Sequence, residues 1–132
     1  MIYGIGTDIA KVSRFERWLT NDALINRFFA EEECFTGAFD RNPSAACQHY
    51  AARFAAKEAF SKALGTGFVG LSLKDFWVAK DEAGKPFFAF GEATKNLLKE
   101  RVGACRVHLS LSHEKEYATA FVVIEKREGE AD

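Results

Sequence analysis

Glu58 and Lys62, two side chains of opposite charge, stand four residues apart in the segment 53–67, RFAAKEAFSKALGTG. The first twelve residues of this segment contain neither Gly nor Pro, which predicts a helix that ends at Gly65 in a left-handed conformation. The four-residue spacing places both charges on one face of the helix, beside small side chains. Such a pair can approach a phosphate-bearing ligand closely, although a simple surface salt bridge produces the same pattern.

Asp8 is the carboxylate that the sequence offers as a partner for Glu58. It lies in a predicted first strand, residues 2–10, in which Gly4 and Gly6 mark a place where another backbone or a ligand comes close. A helix packed on that strand brings the two carboxylates together, and such a pair, completed by phosphate oxygens and water, suits Mg²⁺. Because the chain contains 19 acidic residues, the sequence pattern alone does not single out this pair.

Two other patterns are explained more simply by a structural role than by a functional one. Residues 65–70 (GTGFVG) match the G-x-G-x-x-G dinucleotide fingerprint letter for letter. That fingerprint functions between a strand and a following helix, whereas these glycines follow a helix, so we interpret them as a cap and a loop. His113 stands at a strand end, where a lone histidine is more typical of a hydrogen-bonded structural residue than of a catalyst, and His49 and His108 have no stronger claim.

The elements that must position these residues follow from the hydrophobic periodicity. Ser13 and Glu16 predict a capping box for a helix that contains Phe15, Trp18 and Leu19. The other predicted elements are, in order, a helix with Leu24, Ile25, Phe28 and Phe29 as its apolar stripe, a loop over 37–44 with a turn at 40–43, a long helix over 45–64, a hairpin of strands 71–80 and 87–90, a helix over 92–101 with Ala93, Leu97 and Leu98 inside, and strands over 107–112 and 117–125. This order predicts a single α+β domain over residues 1–132, with an antiparallel sheet packed on one long central helix.

Composition argues against several classes of function. A net charge of −1 gives no support for nucleic-acid binding, and no apolar run approaches the ~20 residues that span a membrane. The three cysteines have no metal-ligand spacing, and the chain begins with strand-like sequence and no basic leader. These features predict a cytoplasmic protein with reduced thiols. Thirteen phenylalanines are many for 132 residues, and we expect some of them at a buried subunit interface.

Three segments together resemble a known family. They are 4–9 (GIGTDI), 53–67 and 109–114 (LSLSHE), and their order and spacing, with a Gly-Lys-Pro at 84–86, are similar to those of the holo-acyl-carrier-protein synthases, the short, trimeric class of 4′-phosphopantetheinyl transferases. The resemblance covers essentially the whole chain. It implies a Mg²⁺-dependent transfer of the phosphopantetheine arm of coenzyme A to a serine of apo acyl carrier protein, with release of adenosine 3′,5′-bisphosphate.

The resemblance also implies roles for individual residues. Asp8 and Glu58 match the magnesium-binding carboxylates of the family, and Lys62 would add positive charge beside the leaving phosphate. We expect Glu58 to be the general base for the serine hydroxyl, directly or through a water molecule, with Asp8 as the alternative. The residues that match coenzyme-facing positions, the last two near the adenine, are Arg53, Lys62, Gly65, Ser112, His113, Lys85 and Pro86. The family is a homotrimer with active sites at subunit interfaces, and the sequence does not say which chain supplies which residue.

A basic stretch near the N-terminus is the candidate docking surface for an acidic carrier protein. Lys11, Arg14 and Arg17 fall within seven residues and Arg27 follows, on helices that we expect to expose aromatic side chains. Arg14 matches a carrier-contacting position of the family. A positive face that simply meets solvent is the alternative interpretation.

The chain departs from the family in two places, and two alternatives to an enzyme stay open. At 29–33 (FAEEE) only the last residue, Glu33, keeps the family pattern, and 34–50 also differs, so the sequence leaves open which fatty-acid, polyketide or peptide carrier is served. The alternatives are a non-catalytic module of the same fold that binds coenzyme A or a nucleotide, and a purely structural trimer. Neither requires Asp8, Glu58 and Lys62 together, and their joint presence favours the enzyme.

Overall fold

A computed structural model describes residues 1–36 and 42–127 of the chain. The strands are β1 (Ile2–Lys11), β2 (Phe76–Lys80), β3 (Pro86–Phe90), β4 (Cys105–His113) and β5 (Tyr117–Lys126). The helices are α1 (Asp22–Phe28), α2 (Pro43–Leu64) and α3 (Glu92–Arg101), and 3₁₀ turns occupy Val12–Trp18 and Glu31–Glu33. Most of the predicted loop over 37–44, with its turn at 40–43, lies outside the described residues. Within them, no helix is long and apolar enough to cross a membrane.

The strands form two antiparallel sheets where the sequence predicts one. The larger sheet has the order β1–β5–β4, and β2 pairs with β3 in a separate hairpin that packs beside β4. The helix α2 lies mainly over β1 and β5. In the register of the larger sheet, Asp8 is opposite Ala120 and His113 is opposite Ala118, and both alanines are fully buried. The fold is therefore the predicted α+β arrangement around one long helix, and Asp8 and His113 both lie on the sheet face that α2 covers.

Local sequence explains both ends of α2. Asn42 caps the first turn, since its side-chain oxygen accepts a hydrogen bond of 3.2 Å from the Ala45 amide, and Pro43 follows where a helix loses no donor to proline. Gly65 ends the helix in the left-handed conformation, with φ at 85°, as the sequence predicts. The glycines at 65–70 thus follow a helix, and the rejection of the dinucleotide fingerprint is confirmed.

Gly4 and Gly6 allow β1 to contact α2 backbone to backbone. A Cβ atom on Gly4 would clash with the carbonyl oxygen of Ala63, and one on Gly6 would clash with that of Ala59. The prediction that these glycines mark a close approach is confirmed, and the approaching group is the helix itself. Asp8 is the next residue of β1 on this face, so the contact fixes its distance from α2.

The predicted capping box at Ser13 and Glu16 is wrong. The segment is a 3₁₀ turn whose cap position is Lys11, and no side chain caps it. The amide of Val12 instead donates a hydrogen bond of 2.8 Å to the carbonyl of Glu116, in the loop between β4 and β5. The chain passes directly from the strand into the turn, so this end needs no side-chain cap.

The first hairpin strand begins at Phe76, five residues later than predicted. Asp75 marks the difference, because its carbonyl and its carboxylate both bind the start of α3. Its carbonyl accepts from the Gly91 amide at 2.7 Å, and its carboxylate accepts from the Thr94 amide at 2.7 Å. These bonds also turn Thr94 inward, so it is buried while the predicted inner residue Ala93 is exposed.

Most of the abundant aromatic residues pack inside the domain. One cluster lies under the N-terminal turns and the other joins α2 to the hairpin, and their members are Phe15, Trp18, Phe28, Phe29, Tyr50 and Phe54 in the first and Phe60, Phe76, Phe88 and Phe90 in the second. The core therefore accommodates many more phenylalanines than we expected. Of those that the structure describes, Phe87 and Phe121 are exposed.

Candidate active site

Asp8, Glu58 and Lys62 come together beside β1, and we call these three residues the carboxylate site. The Lys62 ammonium lies 3.1 Å from Asp8 Oδ1 and donates a second hydrogen bond of 3.0 Å to the Thr7 carbonyl. Glu58 precedes Lys62 by one helical turn and is close enough to Asp8 for their charges to interact. The predicted pairing of a strand carboxylate with a helix carboxylate is therefore present in the structure, and Gly65 ends the same helix three residues after Lys62.

The electrostatics of the carboxylate site are those of a cation site. Partial burial raises the pKa of Glu58, and the negative charge of Asp8 raises it further, while Lys62 and Arg14 act in the opposite direction. Among the described residues, the Glu58 carboxylate forms no ion pair. No group of three or more His, Cys, Asp and Glu within 1–36 and 42–127 could hold a metal alone. Two carboxylates are nevertheless the usual protein contribution to a Mg²⁺ site that phosphates and water complete, so the donor set fits this ion.

A second site lies between α2 and the hairpin, and we call it the arginine cleft. It has a volume of about 350 Å³ and combines positive charge with apolar walls. Its lining residues are Phe35, Ala45, Gln48, His49, Ala52, Arg53, Lys80, Gly84, Pro86, Leu111 and His113. A cleft of this composition suits a ligand that carries both phosphate and an aromatic base.

Hydrogen bonds to backbone carbonyls orient the Arg53 and His49 side chains in the arginine cleft. Arg53 Nη1 donates a hydrogen bond of 3.2 Å to the carbonyl of His49, and its buried Nε has no partner within the described residues, so the guanidinium retains unused donors. The His49 ring bonds the carbonyl of Glu33, which can only accept, so Nε2 carries the proton. Burial and the neighbouring Arg53 lower the pKa of His49 to about 4, and the ring is therefore neutral at pH 7.

The two sites lie on different sides of α2. Arg53 and Glu58 are five residues apart, and this spacing rotates their side chains by about 140° around a helix. Asp8 is on β1 at one edge of the larger sheet, whereas His113 is on β4 at the other edge. One chain therefore brings Asp8, Glu58 and Lys62 together, and brings Arg53, Pro86 and His113 together, but does not join the two sets.

Two residues predicted to face the coenzyme, Lys85 and Ser112, lie outside both sites of a single chain, and His49, which lines the cleft, was not predicted. Lys85 does not line the cleft, whereas Lys80 does, because Lys80 is directly opposite Pro86 in the hairpin register. Ser112 alternates with His113 along β4 and faces away from α2. Sequence reasoning also missed His49, although its position one turn before Arg53 was a usable signal.

The basic stretch is exposed, but its aromatic side chains are not. Arg14, Arg17 and Arg27 all face solvent, whereas Phe15 and Trp18 are buried in the core, so the expectation of exposed aromatics is wrong. The reason is that the 3₁₀ turn packs its aromatic side on α2. The Arg14 guanidinium lies 4.8 Å from the centre of the Phe54 ring and is close enough to Glu58 to lower the pKa of that carboxyl. The candidate docking surface is thus next to the carboxylate site.

An apolar surface covers the side of the larger sheet that faces away from α2, and we call it the outer sheet face. Ile5, Ile9 and Phe121 lie there with 61%, 62% and 55% of their surface exposed. They are adjacent, because Phe121 pairs with Thr7 between the two isoleucines. A contiguous apolar patch of this kind is typical of an interaction surface.

Known proteins resemble this chain over nearly its full length. The family model of the 4′-phosphopantetheinyl transferase superfamily matches residues 4–122. A holo-[acyl-carrier-protein] synthase of Treponema denticola is 50% identical over 125 residues, which are 95% of this chain and 99% of that protein. The crystal structure of the holo-[acyl-carrier-protein] synthase from Neisseria meningitidis has a TM-score of 0.81 at 42% identity, and the match covers 96% of this chain and 100% of that one.

A further solved structure contains a ligand. It is the holo-(acyl-carrier-protein) synthase from Bacillus anthracis in complex with CoA (3′,5′-ADP), which has a TM-score of 0.73 at 37% identity and a match covering 96% of this chain and 99% of that one. Family match, identity and shared fold agree with the motifs at 4–9, 53–67 and 109–114. The chain belongs to the 4′-phosphopantetheinyl transferase superfamily.

Proposed function

We propose that this chain is a holo-[acyl-carrier-protein] synthase, which transfers the 4′-phosphopantetheine group of coenzyme A to a serine of apo acyl carrier protein and releases adenosine 3′,5′-bisphosphate. The observation that carries the proposal is the nearly full-length likeness to enzymes of this name, at 50% identity in the Treponema denticola protein. Coenzyme A as the co-substrate is supported by the Bacillus anthracis complex. Fatty-acid synthesis is the pathway that we expect it to serve, in the cytoplasm.

In the proposed chemistry, the protein positions the substrates and neutralises the charge that develops on the phosphates, as phosphoryl transfer requires. Arg53 and His113 hold the nucleotide end of coenzyme A in the arginine cleft, beside Pro86. Lys62 places its ammonium where negative charge develops on the leaving phosphate, and its exposed fraction of 51% leaves it free to move from Asp8 to that phosphate. The serine oxygen attacks the β-phosphorus of coenzyme A, and the bond to the bridging oxygen breaks.

Asp8 and Glu58 are the residues that would hold Mg²⁺. The ion would supply positive charge to the pyrophosphate and so lower the barrier to departure of the leaving group. The fit rests on the two carboxylates, since burial and then the charge of Asp8 raise the pKa of Glu58, and a cation between the carboxylates would relieve their repulsion.

Glu58 is also our candidate for the general base, with Asp8 as the alternative. Burial is the largest cause of the raised pKa of Glu58, and it makes this carboxylate a better proton acceptor at neutral pH. The Oδ1 atom of Asp8 is already occupied by the Lys62 ammonium at 3.1 Å. Glu58 therefore takes the proton of the serine hydroxyl.

The proposed functional unit is a homotrimer. A single chain separates the carboxylate site from the arginine cleft by the width of α2, and a complete site needs both. Association of chains through the outer sheet face would bury Ile5, Ile9 and Phe121, together with Ser112 on the same face of β4. The carboxylate site of one chain would then meet the arginine cleft of its neighbour. This arrangement accounts for both the divided site and the exposed apolar patch.

The acidic carrier protein docks on the basic surface of Arg14, Arg17 and Arg27. All three side chains are exposed, and Arg14 lies beside Glu58. A carrier held there by charge presents its serine to the carboxylate site. The alternative, that these arginines only contact solvent, predicts no effect on the carrier when they are changed.

The experiment that tests the function is intact-mass measurement of an apo acyl carrier protein incubated with this protein, coenzyme A and Mg²⁺. We expect the carrier to gain the mass of one phosphopantetheine arm, and the gain to disappear with a chelator and return with added Mg²⁺. Binding of coenzyme A without any mass gain on several unrelated carriers would favour the non-catalytic module. A gain that persists in chelator would contradict the metal requirement alone.

A further inference from the structure

Glu33 and Lys57 form a buried ion pair that the proposed chemistry does not use. Each residue has 1% of its surface exposed, and they are the charged residues that the described part of the chain buries most deeply. Lys57 Nζ lies 2.8 Å from Glu33 Oε1. Burial lowers the pKa of Lys57 and raises that of Glu33, because both charged forms lose water, while their mutual attraction opposes both shifts.

The other hydrogen bonds of this pair all end on backbone groups of neighbouring segments. Besides Glu33, the Lys57 ammonium donates to the carbonyls of Leu73 at 2.7 Å and Phe76 at 2.6 Å, which uses all three of its protons. The Glu33 carboxylate also accepts from the amides of Ala30 at 3.1 Å and Val78 at 3.0 Å. The pair therefore connects α2, the 3₁₀ turn at Glu31–Glu33 and the start of β2.

The arginine cleft has a helix wall, formed by residues of α2, and a hairpin wall, formed by Lys80, Gly84 and Pro86. The hydrogen bonds of the ion pair lead to both walls. On the helix wall, the Glu33 carbonyl accepts from His49 Nε2, and the His49 carbonyl accepts from Arg53. On the hairpin wall, the pair holds β2 at Phe76 and Val78, which come just before the lining residue Lys80. The separation of the walls is thus set by one group of directional bonds.

Stability alone is a weak reason to keep a buried ion pair. Replacing such a pair with apolar residues of similar volume is often neutral or stabilising, whereas removing one partner leaves a buried charge without compensation. Apolar contacts exclude water but have no preferred direction. An ion pair with five directional bonds also fixes the orientation of the segments that it joins.

We infer that Glu33 and Lys57 are positioning residues that hold the helix wall and the hairpin wall of the arginine cleft at the separation that binds the nucleotide end of coenzyme A. This inference rests on the proposed function for the identity of the ligand. It assigns no contact with coenzyme A to either residue. Both act through Arg53, His49 and the hairpin.

The main test replaces both charges at once. The double variant Glu33→Leu/Lys57→Met keeps the buried volume and leaves no lone charge, so we expect a melting temperature close to that of the unmodified protein. We expect its dissociation constant for coenzyme A, measured by calorimetry, and its KM for coenzyme A to rise by about tenfold or more. The KM for the carrier protein should change by less than about twofold, because docking lies on the other side of α2. Unchanged coenzyme A affinity in a folded double variant would overturn the inference.

A second pair of variants tests the positioning role if the double variant does not fold. His49→Leu cuts the link between Glu33 and the helix wall without touching the ion pair, whereas His49→Gln retains an N–H that can reach the Glu33 carbonyl. We expect weaker coenzyme A binding in the first and near-normal binding in the second. Equal affinities in the two variants would contradict the inference. If the unmodified protein binds coenzyme A but transfers nothing, the proposed function fails while these binding comparisons still test the positioning role.

Discussion

The carboxylate site and the arginine cleft lie on two sides of one helix and hold their charges in different ways. At the carboxylate site the charges are free to rearrange, because Lys62 is half exposed and Glu58 forms no ion pair among the described residues. In the arginine cleft the side chains are fixed by backbone bonds, since Arg53 donates to the His49 carbonyl and His49 bonds the Glu33 carbonyl. These properties suit the roles that we propose, a cation and a moving proton at the first site and a bound anion at the second.

This difference also separates the steps that each site controls. A change at the carboxylate site alters charge development during the reaction, so it acts on kcat. A change in the arginine cleft alters the affinity for coenzyme A, so it acts mainly on KM. The five experiments that follow use this separation, beginning with the largest expected effect.

Removing one charge from the carboxylate site should cause the greatest loss. We expect Glu58→Gln and Asp8→Asn each to lower kcat by about 1000-fold or more, because both a proton acceptor and a metal ligand depend on these oxygens. Affinity for coenzyme A in the absence of metal should change little. Steady-state kinetics with a calorimetric binding measurement checks both values. Full turnover in Glu58→Gln with normal magnesium affinity would remove Glu58 as the base.

Separating the chains should leave both sites folded but inactive. We expect Phe121→Asp to dissociate the trimer and to lower activity by about 100-fold, since a charge buried in an apolar interface is costly. Light scattering gives the mass and the transfer assay gives the activity. Val69→Asp is the matched control, because Val69 is 83% exposed and lies outside the larger sheet. An active monomer would show that one chain completes the site alone.

Mixing two inactive variants should restore part of the activity. Asp8→Asn damages only the carboxylate site and Arg53→Ala only the cleft, so an interface that receives the intact half from each chain is complete. Random assembly of the two chains, co-expressed in equal amounts, gives about one quarter of such interfaces. We therefore expect about a quarter of the normal rate from the mixture. No recovery from a well-folded mixed trimer would place both halves within one chain.

Reversing the charge of Arg14 should affect the carrier protein selectively. We expect Arg14→Glu to raise the KM for the carrier by about tenfold and to leave that for coenzyme A nearly unchanged, because only the carrier approaches this surface. The effect should shrink as salt concentration rises. Arg101→Glu, at the end of α3, is the control for a charge change elsewhere. An equal rise in both constants would contradict a docking role.

The smallest effect concerns the pH dependence of stability. The pKa of His49 is lowered to about 4 in the folded protein, so the unfolded chain takes up a proton first as the pH falls below about 6.5. Its neutral form then contributes stability that is present above pH 6.5 and is lost towards pH 4, by about 3 kcal/mol at most. We expect His49→Gln to lack this part of the slope in denaturant unfolding. His108→Gln, at an exposed position, should retain the full slope.

The sequence predicts the elements of this fold well where periodicity and caps agree. The bounds of α3 match the prediction, and Gly65 ends α2 as expected, because each signal is local. The predicted strand over 71–80 is half wrong, since Asp75 binds Thr94, a residue that sequence distance conceals. The expected exposure of aromatics near Arg14 was wrong because the three-residue period of a 3₁₀ turn places Val12, Phe15 and Trp18 on one side, and this side faces the core.

The sequence predicted the carboxylate site but not the arrangement of the other candidate residues. Charge type and spacing suggested Asp8, Glu58 and Lys62 only weakly, and the family resemblance singled them out. The division of the remaining residues could not be predicted, because it depends on the rotation of Arg53 relative to Glu58 around α2 and on the register that places Lys80 opposite Pro86. Ser112 faces the outer side for the same reason, since a strand alternates its faces at every residue.

The backbone contact made by Gly4 and Gly6 has a consequence for ion selectivity. The gap between β1 and α2 is closed by two main chains in van der Waals contact, so no side chain can rotate to widen or narrow it. In the proposed metal site, the main-chain separation of Asp8 and Glu58 is consequently a fixed gauge for the radius of the ion, and only the two side chains can adjust to it. We expect a small octahedral cation to suit this gauge better than a large one. A change of preference to Ca²⁺ would therefore require a shift of α2 relative to β1, and the substitution of one ligand residue would not be enough.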